Sequence, residues 1–141
     1  MRIPREVIIA VRRGTEFLVL HRAPQCGAFW HLVAGGEEPG ESAAEAATRE
    51  LLEETGLDAA GTLVDLERTF AYPLAGEPDY VRERFDPAVA EVVVTCFAAE
   101  VPSLWEPTLN EEHDDYRWCG LEQAEALLYW PEPRELLRAL A

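Results

Sequence analysis

The chain has 141 residues, 48% of them hydrophobic, and a formal net charge of −15. That length suits a single domain, 1–141, with a real core, and the acidic balance excludes duplex nucleic acid, which requires clustered Lys and Arg. No apolar run approaches the roughly 20 residues of a membrane span, and Met1-Arg2-Ile3-Pro4-Arg5-Glu6 lacks the apolar stretch of a signal peptide.

Val7-Ile8-Ile9-Ala10-Val11 and Phe17-Leu18-Val19-Leu20 read as two strands joined by the turn Arg13-Gly14-Thr15-Glu16, hence a hairpin. Ala23 to Phe29 is a loop. Trp30-His31-Leu32-Val33 is a short third strand running into Ala34-Gly35-Gly36-Glu37-Glu38-Pro39-Gly40, which is expected to be irregular. Ser42 with Glu45 three residues on is a capping box, so a helix starts there. Ala44, Ala47, Thr48, Leu51 and Thr55 form its expected buried stripe, and Gly56 supplies the left-handed stop. Thr62 to Phe70 is a strand, Tyr72 to Pro87 a long loop, and Val89 to Val101 a strand. Pro102 to Asp115 is an acidic loop, and Tyr116 to Cys119 a short strand. Leu121 to Trp130 and Arg134 to Leu140 read as helices held apart by Pro131 and Pro133. Strands with interspersed helices imply an α/β fold, a mixed sheet covered on both faces.

The chemistry is concentrated in Gly35 to Leu57. At ~3.6 residues per turn, Glu50, Glu53 and Glu54 project within about one turn of each other. Three carboxylates so close repel, and a surface helix has no structural need for them. Hard cations such as Mg²⁺ or Mn²⁺ supply a reason, and they let an acidic site accept an anionic substrate. Arg49, four residues from both Glu45 and Glu53, reads as a charge-balancing bridge along the helix flank. Gly35 and Gly36 let backbone approach a metal or a phosphate without side-chain obstruction.

These residues resemble the Nudix box, GX₅EX₇REUXEEXGU with U aliphatic. Gly35, Glu41, Arg49-Glu50-Leu51, Glu53-Glu54 and Gly56-Leu57 meet every specified position. The resemblance implies the Nudix fold, an α/β/α sandwich with a mixed sheet, and hydrolysis of a diphosphate linkage in a nucleotide-like substrate. It implies metal ligation by Glu50, Glu53, Glu54 and the Gly35 carbonyl, with Glu53 favoured as general base over a glutamate from a distal loop.

A looser similarity to the dihydroneopterin triphosphate pyrophosphatase branch runs through Val19-Leu20-His21-Arg22, Phe29-Trp30, Arg84-Phe85-Asp86-Pro87 and Glu112-His113-Asp114-Asp115-Tyr116-Arg117-Trp118. It implies a pterin or nucleoside triphosphate substrate cut to monophosphate and pyrophosphate. It also implies that Glu112 joins the metal cluster as ligand or base, with Glu111 and Asp114 as rivals in the same loop. Arg22 is expected either to contact a phosphate or to make a surface ion pair. Trp30 and Phe29 either stack on the substrate ring or pack. His21, His31 and His113 lack metal-ligand spacing and read as structural, and Trp105, Trp118 and Trp130 read as packing residues.

Three cysteines, Cys26, Cys96 and Cys119, without a CxxC pair argue against a disulfide framework and for a reducing cytoplasm. The expected state is monomer or homodimer. Alternatives are a dinucleoside polyphosphate, ADP-ribose or sugar-nucleotide hydrolase on the same scaffold, a silent nucleotide-binding Nudix domain, and an acidic interaction module.

Overall fold

The computed structural model describes all residues from Met1 to Ala141. Its seven-stranded sheet runs β1 (Arg5–Arg13), β2 (Glu16–Arg22), β3 (Trp30–His31), β4 (Val33–Gly36), β5 (Val64–Pro73), β6 (Glu91–Glu100) and β7 (His113–Cys119). The order along its main path is β3-β2-β1-β6-β5, with β4 on β1 and β7 on β2. β1 and β6 are parallel, and the other pairs are antiparallel. One edge of β1 is shared: Arg12 and Arg13 pair with β2, while Glu6 to Ile9 pair with β4.

Successive side chains of a strand face opposite ways, and β1 is apolar on both faces. Val7, Ile9 and Val11 pack with Ala46, Ala47 and Leu51 of helix α1 (Ala43–Thr55). Ile8 and Ala10 pack with Ala124 and Leu128, at the end of α3 (Leu121–Leu127), and with Leu136 and Leu137 of α4 (Pro131–Leu140). Helix, mixed sheet and helices therefore form an α/β/α sandwich, and strands covered on both faces read as continuous apolar runs. Emptying one such contact, as in Leu51→Ala, costs about 2–5 kcal/mol.

Helix α1 begins where its capping box places it. The Glu45 amide donates to the Ser42 Oγ at 3.1 Å, and the Ser42 amide donates to Glu45 Oε1 at 3.0 Å. Gly56, at φ 78°, closes the helix by donating its N–H to the Leu52 carbonyl. The buried stripe differs from expectation. It comprises Ala46, Ala47, Glu50, Leu51, Glu54 and Thr55, while Ala44 is exposed and Thr48 half-buried. The helix is rotated so that two glutamates turn inward.

Other boundaries also move. Leu32 separates β3 from β4, and Gly35 and Gly36 are regular strand residues, because the β1 ladder pairs them with Val7 and Glu6. The expected loop Tyr72–Pro87 begins inside β5 and contains a one-turn helix α2 (Asp79–Arg82). Strand β7 starts at His113, three residues before the expected Tyr116, because it follows β2 as far as Arg22. Pro131 and Pro133 do not lie between helices. They form the first turn of α4, where a missing N–H costs nothing. No helix is long and apolar enough to cross a membrane.

Candidate active site

Glu50 and Glu54 sit four residues apart on the α1 face that meets β4, 9% and 1% exposed respectively. Gly35 makes room for them. A Cβ on Gly35 would lie 2.2 Å from the Glu50 carboxylate, so only glycine lets that group press against the strand. Both Glu54 oxygens are buried without a hydrogen-bond partner. Burial, then the neighbouring Glu50 carboxylate, then the charge of Glu112 raise the Glu54 pKa well above that of an ordinary glutamate, with only the Ala34 backbone opposing. Two carboxylates are both acceptors, so neither satisfies the other unless a proton or a cation stands between them.

His113 forms the other wall. It is 4% exposed, and its Nε2 stands 3.7 Å from Glu54 Oε1, too far for a hydrogen bond. Neither ring nitrogen has a partner. Burial, followed by the Arg22 charge, depresses its pKa to about 4, so the ring is neutral at pH 7 and gives Glu54 no compensating charge.

Arg49 organises the surroundings. Its Nε and Nη2 donate to the two Glu41 oxygens at 2.8 and 2.9 Å, Nη2 also donates to the Gly36 carbonyl at 2.8 Å, and Nη1 donates to Glu50 Oε1 at 2.9 Å. Its contact to Glu53 is weaker, 3.5 Å. The expected bridge to Glu45 is absent, because Glu45 is committed to the helix cap. The important partner, Glu41, lies outside the helix, where helical spacing gives no signal for it.

Glu53 does not turn inward with its neighbours. Its side chain is 53% exposed and stands at the rim. No three His, Cys, Asp or Glu side chains converge on one cation position. The enclosed part of the site is the Glu50–Glu54 pair, with Glu53 and the exposed Glu112 around it. Of the loop rivals, Asp114 is held by His21 Nδ1 at 2.6 Å, and the Glu111 carbonyl receives Gln25 Nε2; Glu112 is the one whose charge bears on Glu54. Its backbone is tied down, with its carbonyl receiving the Ala23 amide at 2.8 Å.

Arg22 makes no ion pair within the chain. Its Nε donates to the Cys26 carbonyl at 2.9 Å, and its guanidinium lies over the Phe29 ring. Its charge bears on His31, His113 and Glu6. Trp30 belongs to another cluster. It meets His21 edge-on at 5.0 Å, lies under Arg117 and lines a shallow depression with Asp114 and Asp115. Trp130 packs edge-on against Phe29 and Tyr129, as expected, while remaining 38% exposed.

The glycine cradle, the Arg49 clamp and the inward glutamates occupy the positions that carry the sequence resemblance. The pattern of the NUDIX domain family matches residues 2–140. The chain belongs to the Nudix family. It is similar to the dihydroneopterin triphosphate diphosphatase of Escherichia coli, with 32% identity over 124 residues covering 86% of this chain and 79% of that one. The solved structure of the E. coli dihydroneopterin triphosphate pyrophosphohydrolase superposes on this Nudix domain with a TM-score of 0.84 at 26% identity, covering 98% of this chain and 94% of that one. An octanoyltransferase of Myxococcus xanthus is 36% identical over 138 residues, which is 95% of this chain and 36% of that protein. This Nudix domain therefore corresponds to about a third of that longer relative.

The site fits a divalent cation on its own chemistry. Two orphaned oxygens on a buried carboxylate, beside a second carboxylate held by Arg49, are a hard-oxygen donor set lacking its counter-charge.

Proposed function

We propose that this Nudix domain hydrolyses a diphosphate linkage in a dihydroneopterin triphosphate or (d)NTP substrate, releasing a monophosphate and pyrophosphate with Mg²⁺ or Mn²⁺ as cofactor. The supporting observation is the Glu54 carboxylate, enclosed, beside Glu50 and without any protein partner. Glu50 and Glu54 would hold the cation, joined by the Gly35 carbonyl, with Glu53 and Glu112 adding ligands from the rim. When bound, the cation neutralises diphosphate oxygens and stabilises charge developing at phosphorus.

The chain's own residues supply the rest. Arg49 fixes Glu50 and ties it to the Gly36 carbonyl and Glu41, so the ligand geometry is set before substrate arrives. Arg22, with Nη groups free of protein carboxylates, takes a phosphate oxygen, and the Gly36 backbone lets the diphosphate lie close. Glu53, exposed and therefore in contact with water, accepts the proton as water oxygen bonds to phosphorus and the anhydride P–O bond breaks toward pyrophosphate. Glu112 is the alternative acceptor.

The test is a panel of dihydroneopterin triphosphate, canonical and oxidised dNTPs, diadenosine polyphosphates and ADP-ribose, with phosphate and pyrophosphate scored separately. Pyrophosphate release from a triphosphate, abolished by chelator and by Glu54→Gln, is the expected result. Full activity in EDTA, or phosphate as the first product, would overturn the reading.

A further inference from the structure

On the sheet face opposite α1, Glu6 is a carboxylate where the strand pattern calls for an apolar residue. It is in phase with buried Ile8 and Ala10. The register places Gly36, Glu6, Val94 and Phe70 in one row across β4, β1, β6 and β5. Tyr72, two residues beyond Phe70, reaches across β6, and its hydroxyl donates to Glu6 Oε1 at 2.8 Å. The helices α3 and α4 cover the row beyond Ile8 and Ala10, but Phe70 and Tyr72 remain only half-buried. The result is an apolar, aromatic shelf ending in a carboxylate.

The Glu6 carboxylate is 20% exposed and only partly engaged. Oε2 is met by Arg2 at 3.8 Å, beyond hydrogen-bond length, and Arg2 is itself 42% exposed. Burial raises the Glu6 pKa above that of an ordinary glutamate, and the Tyr72 hydrogen bond, then the charges of Arg2, Arg84 and Arg22, oppose that rise. An anionic carboxylate offers acceptors only.

The shelf is continuous with the candidate active site through two adjacent glycines. Gly35 faces Glu50 on the α1 side, and Gly36 pairs with Glu6 on the other. Strand β4 pairs only with β1, so its second edge is free of any strand. A substrate with its phosphates at Glu50 and Glu54 and its ring over the shelf would cross that edge beside Gly36, where the ends of the Arg49 and Arg2 side chains lie.

We infer that the shelf of Glu6, Phe70, Tyr72 and Gly36 is the ring-binding subsite, and that Glu6 reads the 2-amino-4-oxopyrimidine edge shared by pterins and guanine. That edge presents two adjacent donors, a ring N–H and an exocyclic amine, which a carboxylate accepts together. Adenine presents a donor beside an acceptor, and its ring nitrogen would face the carboxylate lone pairs unpaired. The aromatic floor stacks on either ring, and Glu6 makes the choice. The inference rests on the hydrolase reading for its substrate, and it selects within that class.

The test separates the two claims by measuring ring binding without hydrolysis. Neopterin, GMP and AMP are titrated into the whole chain in EDTA, and binding is followed by intrinsic fluorescence. GMP and neopterin are expected to bind at least about tenfold more tightly than AMP, and Glu6→Gln to remove that preference while leaving AMP within about twofold, as loss of a charge-assisted pair predicts. Because Glu6 is largely enclosed, the wild-type chain is also followed by amide NMR. GMP should shift Glu6, Gly36 and Tyr72, and AMP should shift Phe70 with little change at Glu6. Equal affinity for GMP and AMP, an unchanged preference in Glu6→Gln, or GMP shifts confined to residues away from the shelf would overturn the inference. Hydrolysis by the wild-type chain with Mg²⁺, scored independently, stands or falls with the preceding proposal.

Discussion

Arg49 and Glu41 meet in a two-pronged pair, Nε to Oε2 at 2.8 Å and Nη2 to Oε1 at 2.9 Å, that locks the helix to the turn preceding it. This contact pulls the Glu41 carboxyl below its usual pKa, with Arg49 as the first cause. A lysine ammonium at this position cannot reproduce the fork. Arg49→Lys should therefore lower metal-free stability by about 1–3 kcal/mol and turnover by at least about tenfold. Denaturant melts and steady-state kinetics check this. A lysine variant equal to wild type in both would show that the fork is dispensable.

Glu54→Gln should act in opposite directions on stability and activity. It removes a buried carboxyl whose anionic form nothing in the fold compensates, so the metal-free chain should gain about 1 kcal/mol or more. Turnover should fall by about 100-fold or more if Glu54 holds the cation. Glu53→Gln, at an exposed position, should leave stability within about 0.5 kcal/mol while also reducing turnover. A less stable Glu54→Gln in EDTA would contradict the charge argument.

The two glycines of β4 should tolerate a methyl group unequally. At Gly35 the added Cβ lies 2.2 Å from the Glu50 carboxylate, whereas at Gly36 its nearest neighbour is the end of the Arg2 side chain at 3.3 Å. Gly35→Ala should displace Glu50 and abolish Mg²⁺-dependent stabilisation, seen as loss of the melting-temperature rise on adding Mg²⁺. Gly36→Ala should keep that rise. Equal behaviour of the two variants would place the cradle elsewhere.

Acid should weaken the fold through its histidines. Burial, with Arg22 next, depresses His31 to about 3 and His113 to about 4, below the 6.5 of a free imidazole. Below pH 6.5 the unfolded chain binds protons that the folded chain refuses, so stability falls with pH, by at most about 1.4 kcal/mol per unit per histidine. Glu54 and Glu6 work the other way, since their raised pKa values make the folded chain take up their protons first. In a Glu54→Gln background, His31→Asn should flatten the rise of stability with pH between pH 5 and 6.5, where ordinary carboxylates stay largely ionised. An unchanged slope would mean that His31 is not neutral in the fold.

What could be read in advance was set by local chemistry. The Ser42–Glu45 box and Gly56 bound α1 through contacts within a few residues, and the apolar run Val7–Val11 reflects a strand covered twice. The four-residue interval between Glu50 and Glu54 sufficed to bring them together, whereas Glu53, about 100° round the helix from Glu54, went to the rim. What was not legible depends on distant partners. Gly35 and Gly36 became strand because β1 pairs with them. Glu41 became the anchor of Arg49 through a turn whose path spacing does not encode. His113 read as structural because its relation to Glu54 exists only after β7 has aligned with β2. Glu6 does carry a local signal, a charge in phase with Ile8 and Ala10.

The parallel union of β1 with β6 joins Arg5–Arg12 to Val93–Glu100, about ninety residues further on. Such a pairing closes a long loop before it returns any contact energy, which slows folding. A nascent chain emerging N-terminus first holds β1, β4 and α1 without the strand that completes their sheet, so the helix bearing the glutamates has only half a surface to settle on. Assembly of the chemistry therefore waits on synthesis of the seventh tenth of the polypeptide, and fragments cut short of β6 should be inert however intact their glutamate-bearing segment.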